Sequence, residues 1–134
     1  MDKGQQRVAD VITPQLQAGE QIQAILKTSQ TGPSPFLYAL VGWIWSLFIK
    51  YYAIAVTDRR VFLVNLSKLS GRPKAVGQVF PRADVKVVEW KEGSLWSTLR
   101  LQASGGAEVK LNVARIVRTG AEGVVAAIGA PPAA

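Results

Sequence analysis

A chain of 134 residues with neither cysteine nor histidine can form no disulfide or Cys/His zinc centre, and it carries no thiolate nucleophile or imidazole acid–base group. Its length fits one domain; hydrophobic residues at 49% suffice for one core, and charged residues at 19% are too few for a disordered chain and too many for one wholly buried in a membrane. The formal charge of +7 favours an anionic partner: phospholipid, nucleic acid or acidic protein. Met1 to Arg7 has no apolar stretch behind it, so no signal peptide is read. The expected location is cytoplasmic, either free or peripheral on the inner face of the cell membrane.

From Gln5 to Gln17, Val8, Val11, Ile12 and Leu16 share one helical face. Thr13-Pro14 divides the segment into two short helical pieces, with Thr13 as N-cap and Pro14 as the first residue of the new turn. After Gly19 the period drops to two. Ile22, Ala24 and Leu26 alternate with polar residues in a first strand. Thr31 to Pro35 holds two prolines and a glycine and reads as loop. Tyr51 to Thr57 and Arg60 to Leu66 are β-prone runs joined by a tight turn in which Asp58 bonds nearby backbone. Ser67 to Lys74 is a basic loop, and Ala75 to Phe80 a fourth strand stopped by Pro81.

In the fifth strand, Asp84 to Trp90, Val85 and Val87 share one face while Val88 and Trp90 fall on the other. Either both faces are covered or a bulge shifts the register. Trp90 and Trp96 flank a hairpin loop and are expected to pack across it. Leu95 to Ala103 and Ala107 to Val113 alternate as strands six and seven, separated by a two-glycine turn. Ile116, Val117, Gly120, Ala121, Val124, Val125 and Ile128 then form one helical stripe, ended by Gly129. Gly120 and Gly123 each weaken that helix by about 1 kcal/mol relative to alanine, so it depends on the sheet beneath it. A close approach explains Gly120. Seven strands and a closing helix make a mainly β (α+β) domain. Residues 1–18 form a helical extension, 19–129 the domain and 130–134 a disordered tail.

With this order of elements the chain resembles the bacterial PH-like domains, of pleckstrin-homology superfold, over about residues 16–129. The likeness rests on Leu16-Gln17-Ala18-Gly19-Glu20 before the first strand, on Tyr52-Ala53-Ile54-Ala55-Val56-Thr57-Asp58-Arg59-Arg60-Val61, and on Phe80-Pro81-Arg82-Ala83-Asp84-Val85. It implies a seven-stranded barrel or sandwich capped by the C-terminal helix. It also implies a binding edge made by the loops between strands 1 and 2, 3 and 4, and 6 and 7. Eukaryotic relatives hold inositol phosphates with a lysine ending strand 1 and a Lys/Arg-x-Arg pair in strand 2. Lys27 matches the first, but Lys50 is followed by Tyr51 and Tyr52, so the pair is incomplete.

The most unusual stretch is Phe36 to Ile49, which carries no charge. A helix of that length spans roughly 21 Å, short of the roughly 30 Å of bilayer hydrocarbon. Three readings stay open. The stretch dips into a membrane interface through Trp43 and Trp45, packs against a second copy, or folds back on its own barrel. Lys68, Arg72 and Lys74 form a basic rim suited to an anionic surface. Lys27, Trp43, Trp45, Lys50, Lys68, Arg72 and Lys74 are therefore the candidate lipid- or partner-binding residues. Of Arg59 and Arg60, one reads as a surface residue and the other as a partner for Asp58 or Glu20.

No carboxylate pair or Gly-rich phosphate loop stands in a recognisable motif, and no cofactor or metal is expected. The basic residues are scattered and no RNA-binding aromatic signature appears, which argues against nucleic acid. The expected role is a non-catalytic binding or scaffold domain that associates with itself or with a protein partner through the strand 1–2 loop. Peripheral binding to anionic lipid is the alternative.

Overall fold

The computed structural model describes residues 2–30, 51–67, 72–103 and 108–129. Helix α1 spans Lys3–Ile12 and α2 Arg118–Ile128; the strands are β1 Ile22–Gln30, β2 Tyr51–Thr57, β3 Arg60–Leu66, β4 Pro73–Pro81, β5 Lys86–Lys91, β6 Trp96–Gln102 and β7 Glu108–Ala114. The strand order is β4-β3-β2-β1-β7-β6-β5, antiparallel throughout. Four strands make one sheet and three the other, bridged by the single pair Gln30↔Asn112.

The expected barrel does not close. β4 and β5 lie at the two ends of the order and do not pair. Pro81 ends β4, and a 3₁₀ turn at Arg82–Asp84 carries the chain from one sheet to the other. Helix α2 fills the space between the sheets. Its Ala121, Val124 and Val125, with Val117 before it, join Leu26, Ile54, Val56, Leu63, Leu99, Leu111 and Val113 in the main core.

The central strands of the four-stranded sheet, β2 and β3, are buried on both faces. Along β2 and β3, Ile54, Val56, Val61 and Leu63 face the main core. Ala53, Ala55, Phe62, Val64 and Leu66 face a second core under α1, with Val8, Ala9 and Ile12. Two covered faces explain why these strands are apolar runs rather than alternating ones.

Bulges reconcile the irregular patterns. Ile22 and Ile25 share the α1 face across a register shift between Ile22 and Ala24. A shift between Val87 and Glu89 lets Trp90 join Val87 on the main core, so the bulge reading of the fifth strand is the one realised.

Three local expectations change. Thr13 is not an N-cap: its Oγ1 donates to the Ala9 carbonyl oxygen at 2.6 Å, at the C-terminal end of α1. The N-cap of α1 is Asp2, in a reciprocal capping box with Gln5. Trp90 and Trp96 do not face each other, because the β5–β6 ladder stops at Lys91↔Thr98; Trp90 lies opposite Leu99 and Trp96 opposite Ala114. Ile116 leaves the helical stripe. Residues Arg115–Val117 form a 3₁₀ turn, whose tighter winding buries Val117 and turns Ile116 outward.

Candidate functional site

The Thr57-Asp58-Arg59-Arg60 turn builds a polar knot. The Glu20 side chain is fully buried. Its carboxylate accepts from Arg60 through Nη2 at 2.6 Å and Nε at 3.1 Å, from Thr57 Oγ1 at 2.6 Å, and from the Gln17 backbone N–H at 2.9 Å. The Arg60 guanidinium also donates to the Gln15 carbonyl oxygen at 2.7 Å and lies 4.8 Å from the Phe62 ring centroid. Arg60, then, is the partner of Glu20. Arg59 is exposed and donates to the Gln17 side chain. Asp58 and Gln21 exchange two backbone-anchored bonds, each 3.0 Å long. Foremost through the Arg60 hydrogen bonds, the Glu20 carboxyl is lowered from 4.5 to about 2. Every group in this cluster answers another, so its chemistry is structural: it ties the approach to β1 to the β2–β3 turn.

A different arrangement lies where the two sheets meet. Gly93 sits in the reversal between β5 and β6, where a Cβ would collide with the Trp96 carbonyl oxygen. Its own carbonyl oxygen accepts from the Arg118 guanidinium. The Leu95 carbonyl oxygen accepts from the Arg115 N–H at 2.9 Å. These bonds fix the reversal against the exit of β7. On this fixed backbone Leu95, Trp96 and Ile116 are 64%, 37% and 90% exposed. Arg115, between Ala114 and Ile116, is exposed with them. Trp96 also lines a cleft of about 220 Å³ with Thr28, Ser29, Tyr51, Asn112 and Ala114. The described residues that flank segment 31–50, Gln30 and Tyr51, pair with each other at this corner.

Of the residues singled out from sequence, Trp43, Trp45, Lys50 and Lys68 lie outside the described residues, as does the whole of Phe36 to Ile49. Lys27 is described, and its Nζ donates to Asp2 Oδ2 at 3.0 Å. Its stem covers Gly4, where a Cβ would come 2.6 Å from Lys27 Cδ. Arg72 and Lys74 are exposed at the start of β4. The structure does not bring them to Lys27: β1 and β4 are separated by two strands, about 14 Å at ordinary strand spacing. Leu95, Trp96 and Ile116 were not legible as a group. Each fits an element pattern, and only the backbone bond from Arg115 to Leu95 brings the two segments that carry them together.

No helix among the described residues is long and apolar enough to cross a membrane. No group of acidic residues among them is arranged to hold a metal ion. Comparison with protein-family models finds none that matches the chain, and comparison with curated proteins finds no match.

Proposed function

We propose that this chain is a non-catalytic, PH-like interaction module that associates with itself or with a protein partner through the corner formed by Leu95, Trp96 and Ile116. The observation that carries this reading is the exposure of three large apolar side chains on backbone held by hydrogen bonds from Arg115 and Arg118. Scattered exposed apolar residues need no explanation, but these three stand on two backbone segments joined by the Arg115 to Leu95 bond, with Trp96 lining a cleft, which favours an interaction surface. A fixed backbone loses little entropy when a partner docks. The uncharged stretch Phe36 to Ile49 lies in sequence between Gln30 and Tyr51, whose backbones pair beside this cleft.

Sedimentation equilibrium tests the reading. The wild-type chain is expected to associate with rising concentration, and the double variant Leu95→Lys, Ile116→Lys to shift toward monomer with stability changed by less than about 0.5 kcal/mol, since both sites are exposed. A wild-type monomer over the whole range overturns self-association and leaves a different protein as the partner.

Arg115 beside Trp96 and Ile116 favours a second reading, contact with an anionic membrane, since tryptophan suits the interface and each basic residue there is worth about 1 kcal/mol. Co-sedimentation with vesicles containing phosphatidylserine, compared with phosphatidylcholine alone, checks it. Binding is expected only to the anionic vesicles and to weaken with salt; equal pelleting with both removes this reading.

A further inference from the structure

We infer that the cleft where the two sheets meet binds a small, uncharged, planar ring with an N–H and a C=O on one edge, the edge of a lactam or a pyrimidine base. Thr28 and Ser29 of β1, Tyr51 of β2, Trp96 of β6, and Asn112 and Ala114 of β7 line it. Binding there does not depend on association through Leu95 and Ile116, which stand outside the lining.

The side chain that points to a ligand is Asn112. Its neighbours Leu111 and Val113 enter the main core, so the pleat sends Asn112 to the opposite face of the sheet. It is nevertheless only 7% exposed. No described residue hydrogen-bonds to its side-chain amide, which native folds rarely leave unanswered at such depth. Across the cleft, β1 is bulged. From Leu26↔Ile54 to Ser29↔Tyr52, β1 advances by three residues and β2 by two. Adjacent residues of a regular strand point to opposite faces, but this bulge brings both Thr28 and Ser29 to the one cleft. Ser29 Oγ donates to the Tyr52 carbonyl oxygen at 2.8 Å and keeps its lone pairs as acceptors.

The lining selects the ligand. None of the six residues is charged, so an ionised group would shed its hydration with no counter-charge. The surface is mostly apolar and includes two aromatic side chains, which suits a ring that stacks rather than a sugar that is polar on every edge. An apolar cavity of about 150 Å³ takes up benzene; about 220 Å³ holds one six-membered ring with its substituents. The asparagine amide carries its C=O and N–H side by side and pairs with a matching edge through two parallel bonds, as it does with bases. A lactam edge matches; a trans peptide group, with its N–H and C=O on opposite sides, does not.

The test titrates the full chain with 2-pyridone, a six-membered lactam, by NMR. Saturable shifts of the Asn112 side-chain amide and the Trp96 indole N–H are expected. N-methyl-2-pyridone, which lacks the donor, and propionamide, which lacks the ring, are expected to bind about tenfold more weakly, the cost of one good contact. So is 2-pyridone to Asn112→Leu and to Trp96→Leu. Asn112→Leu is expected to keep the wild-type thermal midpoint, because the amide it removes holds no described residue. Leu95→Lys, Ile116→Lys is expected to bind 2-pyridone as wild type does, whatever its state of association. Uridine separates two sources of the edge: binding with 2-pyridone's affinity assigns it to a nucleoside, and exclusion to a free heterocycle. Absence of saturable 2-pyridone binding, equal binding of N-methyl-2-pyridone, or a lowered midpoint in Asn112→Leu, which would make the amide a structural group, overturns the proposal.

Discussion

Replacing Glu20 with alanine is expected to destabilise the protein by about 3–5 kcal/mol, the usual cost of removing one partner from a buried ion pair, read as a lower midpoint in urea unfolding. The carboxylate is the acceptor for three partners at once, Arg60, Thr57 and the Gln17 N–H. Without it the Arg60 guanidinium, held over Phe62 and against the Gln15 carbonyl, has no counter-charge. Glu20→Gln keeps an acceptor oxygen but loses the charge, and is expected to fall between wild type and alanine.

The same pair sets a pH dependence. In the folded state the Glu20 carboxyl stands at about 2, below its ordinary 4.5, chiefly because Arg60 hydrogen-bonds the ionised form. The unfolded chain therefore takes up the proton first as the pH falls. The contribution, about 3 kcal/mol, is complete above the unfolded value, declines as pH drops through the interval and is gone below about 2. Urea midpoints measured from pH 6 down to pH 2 should fall less steeply in Glu20→Gln than in wild type. An identical slope in the two proteins would show that the ion pair does not set the acid limb.

Two glycines of α2 are expected to answer the same substitution with opposite signs. At Gly120 a Cβ would come 2.7 Å from the Ile25 carbonyl oxygen, a backbone atom of β1 that cannot swing aside. Alanine there gains about 1 kcal/mol of helix propensity. Pushing the helix off the strand costs more, so Gly120→Ala is expected to lose about 1–2 kcal/mol net. At Gly123 the nearest atom to a new Cβ is the Ala24 Cβ at 3.7 Å, an ordinary contact. Gly123→Ala is therefore expected to gain about 0.5–1 kcal/mol. Thermal unfolding of the two variants checks the pair; a gain at Gly120 would mean that α2 does not rest on β1 as closely as described.

What could be read from residues alone was local. β-prone apolar runs located β2 and β3, and alternation located β6 and β7, within a residue or two, because both signals are properties of a strand's own residues. Gly120 could be suspected of a close approach because glycine in a helix interior is costly without one. Composition ruled out cysteine and histidine chemistry before any fold was known.

Tertiary structure decided the rest. Sequence shows that α1 is amphipathic, but not that it covers Ala53, Ala55, Phe62 and Val64, since those partners lie tens of residues away. The β1 and β5 bulges follow from register against neighbouring strands. Ile116 fits the helical stripe by spacing and yet projects into solvent, because a 3₁₀ turn winds more tightly than the period that predicts it. The unclosed seam between β4 and β5 has no signature in either strand. Whether two edges meet depends on sheet twist and on the helix lodged between the sheets, and these are properties of the assembled fold rather than of any one segment.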